Sequence, residues 1–280
     1  MKFWDRLPVI LQAVIAGSLV SLVGTLPWSV LYGANLALSP SIPWAVPAMA
    51  VYLWFFWRYL QGNGWPPSTA ETRRRNLRAR ALSGRVWSLS LLAGSLAIAS
   101  LFTLYLVFER LVALPQQPFP DVSTYPFLTV FVMLLMASVV AGVVEEAAFR
   151  GYMQAPIERR HGPAIAILVV VTIFALAHLT KPSVTLTLLP LYFAAATIYG
   201  ALAYLTKSIL PGIVLHAFQD AYLYFMAWWK GPRAAPQLVW ETGIDGAFWR
   251  SCLILLMFSV ATVWTYRKVA ATMHNAGATV

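Results

Sequence analysis

Long apolar stretches separated by short polar breaks run the length of this 280-residue chain. Taken in order they predict helices over residues 8–38, 43–60, 86–112, 126–158, 163–180, 184–206, 209–229 and 247–268. Each reaches the roughly 18 residues that a helix needs to cross a bilayer. The pattern therefore predicts an all-α, polytopic membrane protein with about eight transmembrane helices. Pro27 should bend the first span. Trp44, Tyr52, Trp54, Trp57 and Tyr59 give the second the aromatic content of an interface-anchored helix. The first span follows Lys2 and Arg6 and is too long for a signal-peptide core, so it reads as a retained membrane helix.

The polar breaks show one membrane domain over 1–280, with no internal repeat. Residues 1–125 hold the first helices, 126–229 the helices that carry candidate chemistry, and 230–280 the last loop, helix and tail. The break at 61–85 contains Gly62, Gly64, Pro66 and Pro67, then Arg73, Arg74, Arg75, Arg78, Arg80 and Arg85. It predicts a cytoplasmic loop with a short amphipathic helix on anionic headgroups; nucleic-acid binding is the remote alternative. Pro115, Pro118 and Pro120 mark a second loop.

Composition sharpens this picture. With 60% hydrophobic and 11% charged residues and a mean hydropathy of +0.69, a soluble domain is excluded. The net charge of +10 fits loop arginines that set topology. Lys2, Arg6, Arg58, the six arginines of 73–85, Arg150, Arg159, Arg160, Lys207, Arg267 and Lys268 fall on one side. Arg110, Lys181, Lys230, Arg233 and Arg250 fall on the other. The bias puts both termini in the cytoplasm of a multi-pass protein in the cell membrane. The Ala- and Arg-rich composition leans towards a prokaryotic source. Cys252 is the single cysteine, which excludes an internal disulfide and disfavours a cysteine metal site. A monomer is the default expectation.

The candidate chemistry starts at Glu145 and Glu146, adjacent carboxylates inside an apolar helix. One such charge at a helix centre costs roughly 2.5–3.5 kcal/mol, so it needs a functional reason. Glu146 and Arg150 stand i,i+4 and predict an ion pair. Glu145 is turned about 100° away, without that partner, and is available as a general base. The bland alternative is a pair of acids that pins helices together. Of the four histidines, His161 lies in a turn and His274 in the tail. His178 shares a helix face with Phe174, and His216 shares one with Asp220. A lone histidine in an apolar helix is usually a core residue. Two of them with an intramembrane Asp and a Glu pair, on three helices, point to a site. Glu145 and His178 lie at similar distances from the turn at His161, which predicts that they meet across an antiparallel hairpin. The closeness of Pro211 to His216 places the site shallowly. Lys181 and Pro182 soon after His178 require either that the fifth helix end within the protein or that the site lie deeper.

These elements resemble the motifs of the CPBP family of intramembrane glutamic endopeptidases (CAAX prenyl protease and bacteriocin-processing, or ABI, proteins). The motifs are Glu-Glu-x-x-x-Arg at Glu145–Arg150, Phe-x-x-x-His at Phe174–His178, and His-x-x-x-Asn, here His216–Asp220. The resemblance covers roughly residues 126–229 and implies a CAAX-protease-like intramembrane endopeptidase. It implies that Glu145 and His178 activate a water and that His216 and residue 220 stabilise the oxyanion. Glu146 and Arg150 would hold the geometry, with Phe174 supporting. Asp220 departs from the family's Asn: an ionised carboxylate cannot donate to an oxyanion. It is expected instead to accept the ring N–H of His216 and orient it. The expected partners are a peptide or protein substrate and the lipid bilayer, with no nucleic acid and no cofactor. One alternative is zinc on Glu145, His178 and His216. Another is a non-catalytic binding, transport or immunity protein whose intramembrane charges form a path.

Overall fold

The computed structural model describes residues 3–115, 121–181, 184–230 and 236–277. Lys2, Pro118, Pro120, Pro182 and Arg233 lie outside the described residues. The chain forms α1 (Val9–Leu38), α2 (Ala45–Leu60), α3 (Ala70–Leu77), α4 (Gly84–Leu111) and α5 (Phe127–Glu145). A π-helix (Glu146–Gln154) then runs into α6 (Ala155–His161). There follow α7 (Pro163–His178), α8 (Leu189–Thr206), α9 (Leu210–Lys230), α10 (Val239–Thr242) and α11 (Gly246–Gly277). Among the described residues there is no strand.

The all-α, polytopic architecture stands, with a helix at each of the eight expected positions. Among the described residues, five stretches are long and apolar enough to cross a membrane: Val9–Leu38, Gly84–Leu111, Phe127–His161, Leu186–Thr206 and Gly246–Asn275. The other three differ for physical reasons. α2 and α7 have 16 residues each, about 24 Å of helix against a core of about 30 Å. α9 has 21 residues, but His216, Gln219, Asp220 and Lys230 dilute its apolar character. One helix was expected over 126–158; its second half is instead a nine-residue π segment. There the hydrogen bonds run i→i+5, so an α-helical phase does not carry past Glu146.

The turn from α1 to α2 is built by buried Asn35. Its Oδ1 accepts from the Ala45 amide at 2.8 Å, and its Nδ2 donates to the Ser39 and Ile42 carbonyls at 3.0 Å each. At the opposite, Arg-rich end, the 61–83 segment forms a strap across the helix ends, with Arg74, Arg75 and Arg80 exposed. Arg73 is buried and gives Nη1 to Thr69 Oγ1 at 2.7 Å and to the Pro66 carbonyl at 3.3 Å. Its Nη2 reaches the Asn63 and Gly64 carbonyls at 3.1 Å each. Its guanidinium lies 4.2 Å from the Tyr59 ring centre. A buried guanidinium has to satisfy its donors internally; both terminal nitrogens of Arg73 do so, while Nε has no hydrogen-bond partner among the described residues. Arg78 pairs with Glu158, which Lys207 also binds at 2.9 Å. The Arg78 carbonyl accepts from the Ile209 amide at 3.1 Å, and the Arg80 carbonyl from Ser208 Oγ at 2.7 Å. The strap therefore ties α6 to the link between α8 and α9. Arg73 and Arg78 are thus engaged within the protein.

α5 and α9 pack face to face, and Gly142 permits it. A Cβ there would lie 2.7 Å from the Ile213 carbonyl oxygen and 2.9 Å from the Ala217 amide nitrogen. Only glycine allows backbones that close. The contact brings the end of α5 beside the second turn of α9, where His216 sits.

Candidate active site

The deepest element is the ion pair. Glu146 and Arg150 are wholly buried, with Oε1 and Nη1 3.1 Å apart across the π segment. Arg150 also donates from Nη2 to the Ala196 carbonyl at 3.3 Å. Its guanidinium lies 5.0 Å from the Phe174 ring centre and 5.2 Å from that of Tyr199. Two aromatic faces and a carboxylate thus replace its water. Arg150 was assigned to the cytoplasmic side; it is an interior residue, because Glu146 draws it inward.

His216 stands six residues into α9 and meets this pair. Its Nδ1 lies 3.0 Å from Glu146 Oε1. Its Nε2 lies 3.8 Å from Glu145 Oε2 and 3.9 Å from Asp220 Oδ2. One imidazole therefore faces three carboxylates from two helices. Asp220 was expected to orient His216, but at 3.9 Å it is too far for a hydrogen bond. Glu146 is the residue placed to take the Nδ1 proton. Spacing one turn along α9 puts Asp220 beyond Nε2, whereas the close approach at Gly142 turns Nδ1 towards the π segment.

Glu145 has no such commitment: 19% of its side chain is exposed, against none of Glu146. Adjacent carboxylates on one helix are thus sorted into a buried anchor and an accessible group. His178 is the last residue of α7, which ends inside the protein. Its Nδ1 lies 2.9 Å from the Phe174 carbonyl; donation there leaves Nε2 with the lone pair. Its ring packs 4.4 Å from Phe174, which in turn meets Phe149 edge-on at 5.0 Å. Glu145, His216 and Lys181 all act electrostatically on His178. All seven sequence-selected residues are thus drawn to one place, while His161 and His274 stay exposed at helix ends.

Three neighbours carry no sequence signal of their own. The Tyr199 ring stacks on His216 at 5.0 Å and 19°, and its hydroxyl donates to Gln219 Oε1 at 2.9 Å. The Tyr192 ring lies 4.3 Å from that of His178. A Cβ at Gly212 would fall 2.7 Å from Glu146 Oε2. Tyr192 and Tyr199 are seven residues apart, two turns along one face of α8, a spacing that interface aromatics also show. Glu146 Oε2 and Arg150 Nε are buried without a hydrogen-bond partner among the described residues. An intramembrane cluster left polar and partly unsatisfied is expensive, which is the mark of a functional site. Among the described residues no three His, Cys, Asp or Glu side chains are grouped to hold a metal ion.

Such a cluster has the makings of a hydrolase: an accessible carboxylate, a neutral-capable imidazole and a second imidazole that can donate. Residues 127–222 match the family model described as type II CAAX prenyl endopeptidase Rce1-like. That stretch holds Glu145, Glu146, Arg150, Phe174, His178, His216 and Asp220. No curated protein and no solved structure matches the chain. The match supports a membrane protein of the intramembrane protease kind, acting on a peptide or protein.

Proposed function

We propose that this protein is an intramembrane endopeptidase that cleaves a peptide bond near the terminus of a membrane-associated substrate, using Glu145 as base. The observation that carries this reading is the division of labour at His216. Its Nδ1 is engaged by buried Glu146, while its Nε2 points into the space bordered by Glu145 and Asp220. A water between Glu145 and His178 Nε2 loses a proton to Glu145 as its oxygen attacks the substrate carbonyl carbon. The carbonyl π electrons move to oxygen, and the oxyanion receives a hydrogen bond from His216 Nε2–H in its imidazolium form. Collapse expels the amine, which takes the proton from Glu145, leaving a new carboxyl and a new amino terminus. Glu146 and Arg150 hold the His216 ring in register, and Phe174 supports both Arg150 and His178. Asp220 lends negative charge that favours the imidazolium. The mechanism needs no metal and no cofactor.

The proposed topology puts the Arg-rich end and both termini in the cytoplasm of a prokaryotic cell membrane, with the substrate entering from that side. The strap across α6 and the α8–α9 link supports it, since it gathers Arg78, Arg159 and Lys207 at one end of the bundle. The test compares peptide termini in cells carrying the native protein with those in cells carrying Glu145→Ala at equal membrane abundance. New termini that vanish in the variant are expected, and they would name the substrate. Identical termini would overturn the reading in favour of a binding or transport protein. A zinc enzyme would instead lose activity to a chelator and regain it with the metal.

A further inference from the structure

We propose that Tyr192 is a further catalytic residue, its hydroxyl donating a hydrogen bond to the substrate carbonyl oxygen as it becomes an oxyanion. The inference rests on the endopeptidase reading above and deepens it.

The charge balance of the site calls for such a donor. Glu145, Glu146 and Asp220 all lie within 3.9 Å of His216. An oxyanion formed there meets three carboxylates, and His216 Nε2 is the one ring donor facing the gap. A second donor that brings no negative charge of its own would offset the repulsion, and a phenol supplies that.

α8 brings two tyrosines to the site, one for each histidine. They differ in what their hydroxyls do. Tyr199 lies flat on His216, is fully buried, and has its O–H committed to Gln219 at 2.9 Å. Tyr192 packs on His178 at 4.3 Å and 32° and is only half-buried. Among the described residues its hydroxyl makes no hydrogen bond. Packing against Phe174 at 6.5 Å as well as His178 fixes the ring on one side, so few conformations are open to the O–H. That hydroxyl lies within electrostatic reach of Glu145 and Asp220, the two carboxylates that border the reaction space. Tyr224, one turn beyond Asp220 on α9, is within electrostatic reach of the same pair and of Tyr192. An uncommitted phenol held by its ring against the water-activating histidine is a donor in waiting rather than a packing residue.

Four chains would be compared at equal membrane abundance: native, Glu145→Ala, Tyr192→Phe and Tyr192→Leu. The first readout is the set of peptide termini that depend on Glu145. The second uses a synthetic peptide spanning the bond so identified, with protein purified in lipid nanodiscs, to give kcat and KM. Phenylalanine keeps the ring on His178 and removes only the hydroxyl. Loss of one oxyanion donor lowers kcat by about 10²–10³-fold. Tyr192→Phe should therefore lose at least about tenfold in kcat with KM little changed. Tyr192→Leu should lose as much or more. Native kcat in Tyr192→Phe with a loss confined to Tyr192→Leu would make Tyr192 a positioning residue for His178 and overturn the proposal. Native kcat in both variants would overturn it too. Termini indifferent to Glu145→Ala would bring down the endopeptidase reading and this inference with it, an outcome distinct from either of the others.

Discussion

Two carboxylates on one continuous helical run, Glu146 and Glu158, both bind arginine, yet they do opposite things. At the rim, Glu158 takes Arg78 and Lys207 on the same oxygen, and Gln154 Nε2 stands 3.5 Å from the other. The partners come from three segments, and the cluster fastens them together. In the interior, Glu146 Oε1 takes Arg150 and His216, while Oε2 is left without a partner beside Gly212. The cluster at the edge of the bundle fastens segments together, although Arg78 Nη1 and Gln154 Oε1 have no hydrogen-bond partner among the described residues; the one in its centre, wholly shut off from water, holds an imidazole beside an accessible carboxylate. Access to water, through half-exposed Lys207 at the rim and closed off at Glu146 and Arg150, separates scaffold from site here.

The largest break in this contrast should come from Arg150→Met. It strands Glu146 in the interior, and unpairing a buried ion pair costs about 3–5 kcal/mol. Thermal unfolding in nanodiscs and membrane abundance should both fall, with activity lost alongside. Arg78→Met at the rim should cost far less, about 1 kcal/mol, because Lys207 still pairs with the Glu158 it leaves behind. An equal loss at both positions would erase the distinction.

Next in size is Gly212→Ala. Its Cβ would fall 2.7 Å from Glu146 Oε2, so the carboxylate must shift and carry His216 with it. A 1 Å misplacement at a catalytic group costs about 10²-fold, so kcat should fall by about tenfold or more while the unfolding temperature changes little. Unchanged kcat would show that His216 does not take its position from Glu146.

Salt should sharpen the comparison further. Lys207→Gln removes the exposed arm of the rim cluster, and its effect should be a few tenths of a kcal/mol that disappears at high ionic strength. Effects at the interior pair should persist there. The smallest effect expected is at Asp245, which accepts from the Phe248 amide at 2.8 Å and pairs with Arg110 at 3.3 Å. The backbone hydrogen bond from Phe248 and the Arg110 charge hold its carboxyl below the usual aspartate range. A lowered pKa contributes stability that is present above the unfolded value and lost as pH falls through the folded one. The difference in melting temperature between the native chain and Asp245→Asn should therefore be present near neutrality and vanish in acid.

The apolar lengths made the helices legible, and i,i+4 spacing made the Glu146–Arg150 pair and the shared face of His216 and Asp220 legible. Spacing could not reveal which nitrogen of His216 meets which carboxylate, because that is decided by how closely α5 approaches α9 at Gly142. The same limit hid Tyr192 and Tyr199: their spacing on α8 is visible, but not that this face turns towards the histidines. Arg73 read as surface charge because no local pattern says that four carbonyls and hydroxyls of its own strap are folded back to receive it. Arg150 misled the topology count for the opposite reason, since an arginine near a run's end looks the same whether it faces water or a buried acid.

The π segment makes the chain sensitive to length. Between Glu145 and Glu158 the backbone carries a wider turn held by i→i+5 bonds, so the interior pair and the rim cluster sit on helical stretches with different phases. A substitution along 147–153 changes one side chain, but a one-residue deletion would change the phase of everything beyond it relative to Glu145. Either Arg150 or Glu158 would then lose its partners. Over these few residues the chain length, more than the identity of most side chains, is what natural variation has to leave alone.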